Sequence, residues 1–198
     1  MVRFDKRFST TNQSWGFVLV YEYTFTKDGK MSFNLTGDPY ERGINNPTMI
    51  PRIGIEAYVS GKLNQVKWFG MGPGENYVDS LTSSEMGIYE SSVEDQHTPY
   101  VFPQENGSHT GTEWLELQGS ANVSLNMKDD VSFSYHNYTK EMVEEAKHTD
   151  ELGRSSFNVL NIDYKQLGLG SNSCGPIQQE KYWTTVEPFE IGFTLNAN

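Results

Sequence analysis

The sequence holds a single cysteine, Cys174, among 198 residues. No internal disulfide can form, which excludes a disulfide scaffold and a cysteine-rich zinc module. Positive charge is scarce: 15 Lys and Arg stand against 26 Asp and Glu, a net charge of −11. That sign repels phosphate and argues against nucleic acid or an anionic membrane surface as a partner. No apolar run approaches the roughly 18 residues that span a bilayer. The segment Met1–Arg7 has no apolar run after its basic residues, so no signal peptide is seen, and a cytoplasmic location is the expectation.

Several chemical signatures are missing as well. Gly70-Met71-Gly72-Pro73-Gly74 and Gly168-Leu169-Gly170 fail the dinucleotide spacing, because the third glycine position falls on Glu75 or Ser173. No GxSxG elbow and no HExxH occurs. His97, His109, His136 and His148 are far apart and read as unrelated polar or capping residues rather than metal ligands. Cys174 has no His, Lys or Arg beside it in sequence to lower its pKa and reads as a buried or loop-lining thiol.

What is present is aromatic: 4 Trp, 11 Tyr and 11 Phe. Each such ring can bury on the order of 150–250 Å², enough for a core without staples in a chain of this length. The dominant period is two. Trp15, Phe17, Leu19, Tyr21, Tyr23 and Phe25 alternate, Lys27-Asp28-Gly29-Lys30 supplies a turn, and Met31, Phe33 and Leu35 alternate again, which predicts a hairpin. Strands are further expected at 52–59, 65–70, 112–118 and 182–195, with Pro188 at an edge or bulge. A second hairpin is expected from 121–127 and 131–135 around Lys128-Asp129-Asp130. The only helix expected lies near 139–148, capped by Thr139. Short strands with close turn signals predict one antiparallel sandwich or barrel domain over 1–198.

Two stretches stand apart. Residues 77–102 are poorly periodic, and long irregular segments in compact domains are often functional. Glu90, Glu94, Asp95, Glu105 and Glu113 cluster there or nearby. A glycosidase needs two carboxyls at a fixed separation, but acidic loops are also expected by chance in so acidic a chain. Tyr100–Gly107 mixes aromatics, proline, amides and acid without any period. It reads as a fixed loop with assigned polar partners, either a site or an internal brace.

Val66-Lys67-Trp68-Phe69-Gly70-Met71-Gly72-Pro73-Gly74-Glu75-Asn76-Tyr77, Thr98-Pro99-Tyr100-Val101-Phe102-Pro103-Gln104-Glu105-Asn106-Gly107, Leu160-Asn161-Ile162-Asp163 and Gly168-Leu169-Gly170 follow in that order. Together they resemble the C-terminal domain of glycoside hydrolase family 2 β-galactosidases, encoded separately in some members as a small subunit. The resemblance runs from about Trp15 to the C-terminus. It implies an all-β, antiparallel, galactose-mutarotase-like β-supersandwich that lacks its earliest strands here. It implies retaining hydrolysis of terminal β-galactosides such as lactose by two glutamates in a separate barrel domain. Glu90, Glu94, Glu105 and Glu113 therefore receive no catalytic role.

The same resemblance implies a substrate loop near the C-terminus, placing Ser171, Asn172, Ser173, Cys174 and Gly175 at the active-site wall. The tryptophan that many members carry there is replaced by Cys174 or Gly175. No cofactor is implied for this chain, with Mg and Na ions in the complete enzyme. The implied partners are a catalytic large chain and a β-galactoside at a shared site, in an oligomer whose contacts cover an exposed sheet edge. A rival reading is a freestanding carbohydrate-binding module with Trp68, Tyr77, Tyr89 or Trp114 as an aromatic platform. A third is a structural domain without ligand.

Overall fold

The computed structural model describes residues 1–9, 11, 15–40, 46–170 and 175–197. Ten strands form in chain order: β1 (Val2–Ser9), β2 (Gly16–Phe25), β3 (Met31–Pro39), β4 (Arg52–Ser60), β5 (Gln65–Gly72), β6 (Glu85–Ser92), β7 (His109–Gln118), β8 (Asn122–His136), β9 (Phe157–Gln166) and β10 (Phe189–Ala197). Every pairing is antiparallel. The main path runs β1-β2-β3-β10-β8-β7-β5-β6, and β9 with β4 branches from β8. One short helix, α1 (Lys140–Glu145), follows β8.

The β2–β3 hairpin forms as expected, with Gly29 at φ +85° in its turn. The second expected hairpin does not. Residues 122–136 are one continuous strand. Lys128-Asp129-Asp130 contains no glycine, and no non-glycine residue described here adopts positive φ, so a tight primed turn is not formed there. The inward residues of both halves share one parity: Leu125, then Val131, Phe133 and Tyr135, are buried. The first half of β8 pairs with β10 and the second half with β9. This one strand therefore serves two layers, and at its middle the sheet divides into the arms of a sandwich.

The core lies between the arms. Phe17, Phe33, Leu35, Leu125, Phe189, Ile191 and Phe193 from one arm meet Ile53, Leu160 and Ile162 from the other. Trp68, Leu115, Leu117 and Phe133 continue it toward β5 and β7. Edge-to-face contacts at Phe17–Phe189, 5.4 Å, and Trp68–Phe133, 5.6 Å, pack the rings in the offset geometry that aromatic quadrupoles favour.

Three strands lack a strong signal in sequence. β1 is exposed throughout, β6 is a mostly exposed edge inside the irregular 77–102 stretch, and β9 is a largely buried strand without clean alternation. The helix is shorter than 139–148, although Thr139 caps it by accepting the Met142 amide at 3.3 Å. The last strand begins only after Pro188, where the missing amide no longer interrupts a ladder.

Candidate functional site

The motif segments meet at one end of the sandwich, in a buried polar network. Glu75 follows the end of β5 and braces the 100–107 loop: its Oε1 accepts the Tyr100 hydroxyl, and its Oε2 accepts the Gly107 amide at 2.7 Å. Asn76 Oδ1 accepts from the Thr110 amide at 2.8 Å and the Thr110 hydroxyl at 2.6 Å, while its Nδ2 donates to Gly74 O. Asn106 Oδ1 accepts from the Thr98 amide and the Tyr138 hydroxyl, each at 3.1 Å. His136 Nε2 donates to Asn106 O at 3.0 Å, and His97 Nδ1 meets the Tyr138 hydroxyl at 2.8 Å. Gly107 sits at φ +72°, and any Cβ there would fall 2.5 Å from His136 Cε1, so glycine is required.

Charge enters through β4 and β9. Arg52 grips Asp163 in a two-point pair, Nε to Oδ1 at 3.1 Å and Nη2 to Oδ2 at 2.6 Å. Glu105 Oε2 lies 3.5 Å from Arg52 Nη1, and Glu105 Oε1 accepts from Gln166 Nε2 at 3.0 Å. Burial pushes the Asp163 carboxyl up to about 6 despite the opposing pull of Arg52. Burial would lower Arg52, but Asp163 and Glu105 outweigh it and hold the guanidinium above its ordinary value. At neutral pH the pair is ionised. Burial depresses His109 to about 3 and His136 to about 4, so both rings are neutral. Burial, then the Glu105 and Glu75 charges, raises Tyr77 far above the ordinary phenol range.

Two of the four histidines, His97 and His136, thus belong to one network through Tyr138 and Asn106; the His109 ring bonds Gln96 at 3.0 Å and packs against Trp68 and Phe133, and His148 lies apart, 3.3 Å from Glu151. Among the described residues no group of three His, Cys, Asp or Glu side chains is placed to hold a metal ion. The five acids singled out in sequence are not brought together as a pair. Glu90 lies opposite Lys67 on β6 and β5, Glu94 meets Arg154 at 3.7 Å, Asp95 bonds Ser92, and Glu113 is exposed on β7. Only Glu105 joins the network. Of the aromatic candidates of the rival reading, Trp68 and Tyr77 are buried in the core, and Tyr89 and Trp114 are half-buried.

Of the substrate-loop residues, Ser171, Asn172, Ser173 and Cys174 lie outside the described residues; Gly175 is described and exposed. Both ends of that loop are anchored. Gly170 N donates to Asp79 Oδ2 at 2.9 Å. Gln178 Nε2 donates to Gly168 O, and Trp183 Nε1 donates to Gln178 O at 3.0 Å. A Cβ on Gly168 would fall 2.1 Å from Asp79 Oδ1, so the close approach needs glycine. Asp79, Gln178 and Arg52 escaped the sequence reading. Asp79 had a weak signal, standing two residues beyond Glu75-Asn76-Tyr77; the other two had none.

An open β-sandwich with a buried polar brace beside an anchored surface loop is the class of molecule defined here. The chain belongs to the family described as Beta galactosidase small chain, whose model matches residues 2–195. It is 36% identical over 201 residues to a beta-galactosidase of Actinobacillus pleuropneumoniae, covering 98% of this chain and 19% of that protein. It is 30% identical over 197 residues to one from Kluyveromyces lactis, again covering 98% of this chain and 19% of the relative. A third, from Photobacterium profundum, is 31% identical over 181 residues, 90% of this chain and 17% of that protein. The chain thus spans about a fifth of the length of these relatives.

Proposed function

We propose that residues 1–198 act as one domain, the non-catalytic part of a family 2 β-galactosidase. The domain completes one wall of the active site through the loop at 171–175 and stabilises the catalytic chain during hydrolysis of terminal β-galactosides such as lactose. The catalytic glutamates lie in that other part, as do any Mg and Na sites, and the assembled enzyme is an oligomer in the cytoplasm.

The observation that carries the reading is a step in the sandwich. β4 pairs only with β9, so its other edge has no strand partner among the described residues. Beyond that edge, the inner face of β1 remains uncovered: Phe4 pairs with Tyr21 and Phe8 with Phe17, and Phe4 is 49% and Phe8 60% exposed. A groove of about 750 Å³, lined by Phe8, Leu19, Tyr21, Met49 and Ile55, runs between the two. An open strand edge beside an apolar ledge is a template for further strands and an aggregation hazard if left bare. Strands from the catalytic part fit it, because they would extend β4 and roof β1–β2 in one move.

The test is reconstitution. The chain and the separately produced catalytic part are assayed for galactoside cleavage, each alone and mixed. Activity is expected only in the mixture, at a ratio that saturates. Cleavage by this chain alone, or equal cleavage by the catalytic part with and without it, overturns the reading.

A further inference from the structure

A second feature lies on the outer face of the β4-β9-β8 arm. Glu56, Asn161 and Ser134 are directly opposed across these three strands, so they form one polar row on one face. They floor an open pocket of about 330 Å³. Phe102 and Pro103 of the braced loop wall one side, and Lys140 and Val143 of α1 wall the other. None of its lining comes from residues 168–183, while Arg52, Glu56, Lys140 and Asn161 also border the groove beside β4.

The polar groups are positioned before any ligand arrives. Asn161 Nδ2 donates to Ser134 Oγ at 3.1 Å, the Tyr58 hydroxyl donates to Glu56 Oε1 at 2.6 Å, and Lys140 Nζ lies 3.6 Å from Glu56 Oε2. Arg52 and Glu105 close one end, 3.5 Å apart. Against these stands an apolar anomaly. Phe102 is 61% exposed and its neighbour Val101 is 91% exposed, on a loop whose flanking residues are tightly bonded. A rigid loop that holds an aromatic ring in water at a pocket rim is not explained by core packing.

The geometry points to a binding site for a neutral saccharide ring. Three glutamates face one arginine and one lysine in the lining, so a phosphate or other anion is disfavoured. Mixed donors and acceptors in fixed positions suit hydroxyl groups, which both give and take hydrogen bonds. The negative face of an aromatic ring attracts the weakly positive C–H groups on one face of a sugar, the role open to Phe102. The volume sits at the lower end of small-ligand pockets, the size class of one ring rather than a long oligosaccharide.

The experiment is a two-dimensional amide NMR titration of the full chain with galactose, with glucose, and with inorganic phosphate. Saturable shifts at Phe102, Ser134 and Asn161 are expected for a sugar, with a dissociation constant on the order of 1 mM. Phe102→Ala should weaken binding about 5- to 10-fold without changing the melting temperature, and Phe102→Tyr should restore it. No saturable shift up to about 100 mM of either sugar, a hundred times the expected constant, overturns the site. So do shifts that phosphate reproduces, or that Phe102→Ala leaves unchanged. Binding is read on this chain alone, so its failure is separable from failed reconstitution.

Discussion

Asp79 Oδ2 accepts the Gly170 amide at 2.9 Å, joining residues 91 apart in sequence. The carboxylate fixes the start of the 171–175 loop, and Gln178 fixes its far side. Asp79→Ala removes the acceptor and opens space beneath Gly168. Hydrogen exchange at Gly170 is expected to quicken by at least about tenfold, with a loss of global stability of up to about 1.5–3 kcal/mol, the range for a hydrogen bond to a charged group. Exchange at Leu115, in the core of β7, should change only with global stability. In the reconstituted enzyme, kcat/KM should fall while the affinity between the two parts is unchanged.

The Arg52–Asp163 pair places a carboxylate only 2% exposed against a guanidinium. Arg52→Met strands that charge. The cost at neutral pH is expected to be about 3–5 kcal/mol. Asp163, already raised to about 6, should rise further in the variant. The fold then favours the protonated acid over a wider range, so the variant loses stability relative to wild type as pH rises through about 6 to 8. Denaturant melts across that range check the sign. Asp163→Asn in the Arg52→Met background should remove the pH dependence.

His109 and His136 make the fold acid-sensitive. Their folded values of about 3 and about 4 lie below the ordinary 6.5, so below that pH the unfolded chain binds protons that the folded chain refuses. Each ring contributes stability that is fully present above 6.5 and is lost by about 1.4 kcal/mol per pH unit below it. Asp163 works the other way between about 6 and its ordinary 3.8, where the folded chain takes up the extra proton. The loss per pH unit from these three groups should be steepest between 6.5 and about 6 and roughly halve below that. Urea midpoints measured in half-unit pH steps test it, and His109→Gln should remove one proton from the steep segment.

Ile55 lies half-buried on β4, at the edge that the proposed partner would extend. Ile55→Lys puts a charge on that edge, the device by which sheet proteins repel further strands. The isolated chain should keep its far-ultraviolet circular dichroism and lose about 1–3 kcal/mol, because Ile55 packs against the core. Reconstitution should require at least about tenfold more chain. Reconstitution at the wild-type ratio would remove the β4 edge from the interface.

The hairpin at Asp28-Gly29, the alternating aromatic face of β2 and the Thr139 cap were legible because each depends on neighbours within a few residues. The charge likewise argues against a nucleic-acid partner, and the lone cysteine excludes an internal disulfide, from composition alone. Lys128-Asp129-Asp130 looks like a turn in sequence because polar residues in a row mimic one, whereas pairing with β10 and β9 carries β8 straight through it. β1 and β6 were missed because edge strands draw stability from one partner and need no buried face.

The motif around Glu75 and that around Asn106 could be picked out in sequence, but not what they do. Their side chains bond to each other and to Thr110, Tyr138 and His136, contacts that exist only once β5, β7 and β8 are assembled. Sequence by itself determined the strand character of most segments, through the period of two that a pleated backbone imposes. Tertiary structure alone decided which carboxylates pair, which histidines are buried neutral and where the sandwich stays open. Those properties depend on desolvation and on partners far apart along the chain, and local residue patterns carry no information about either.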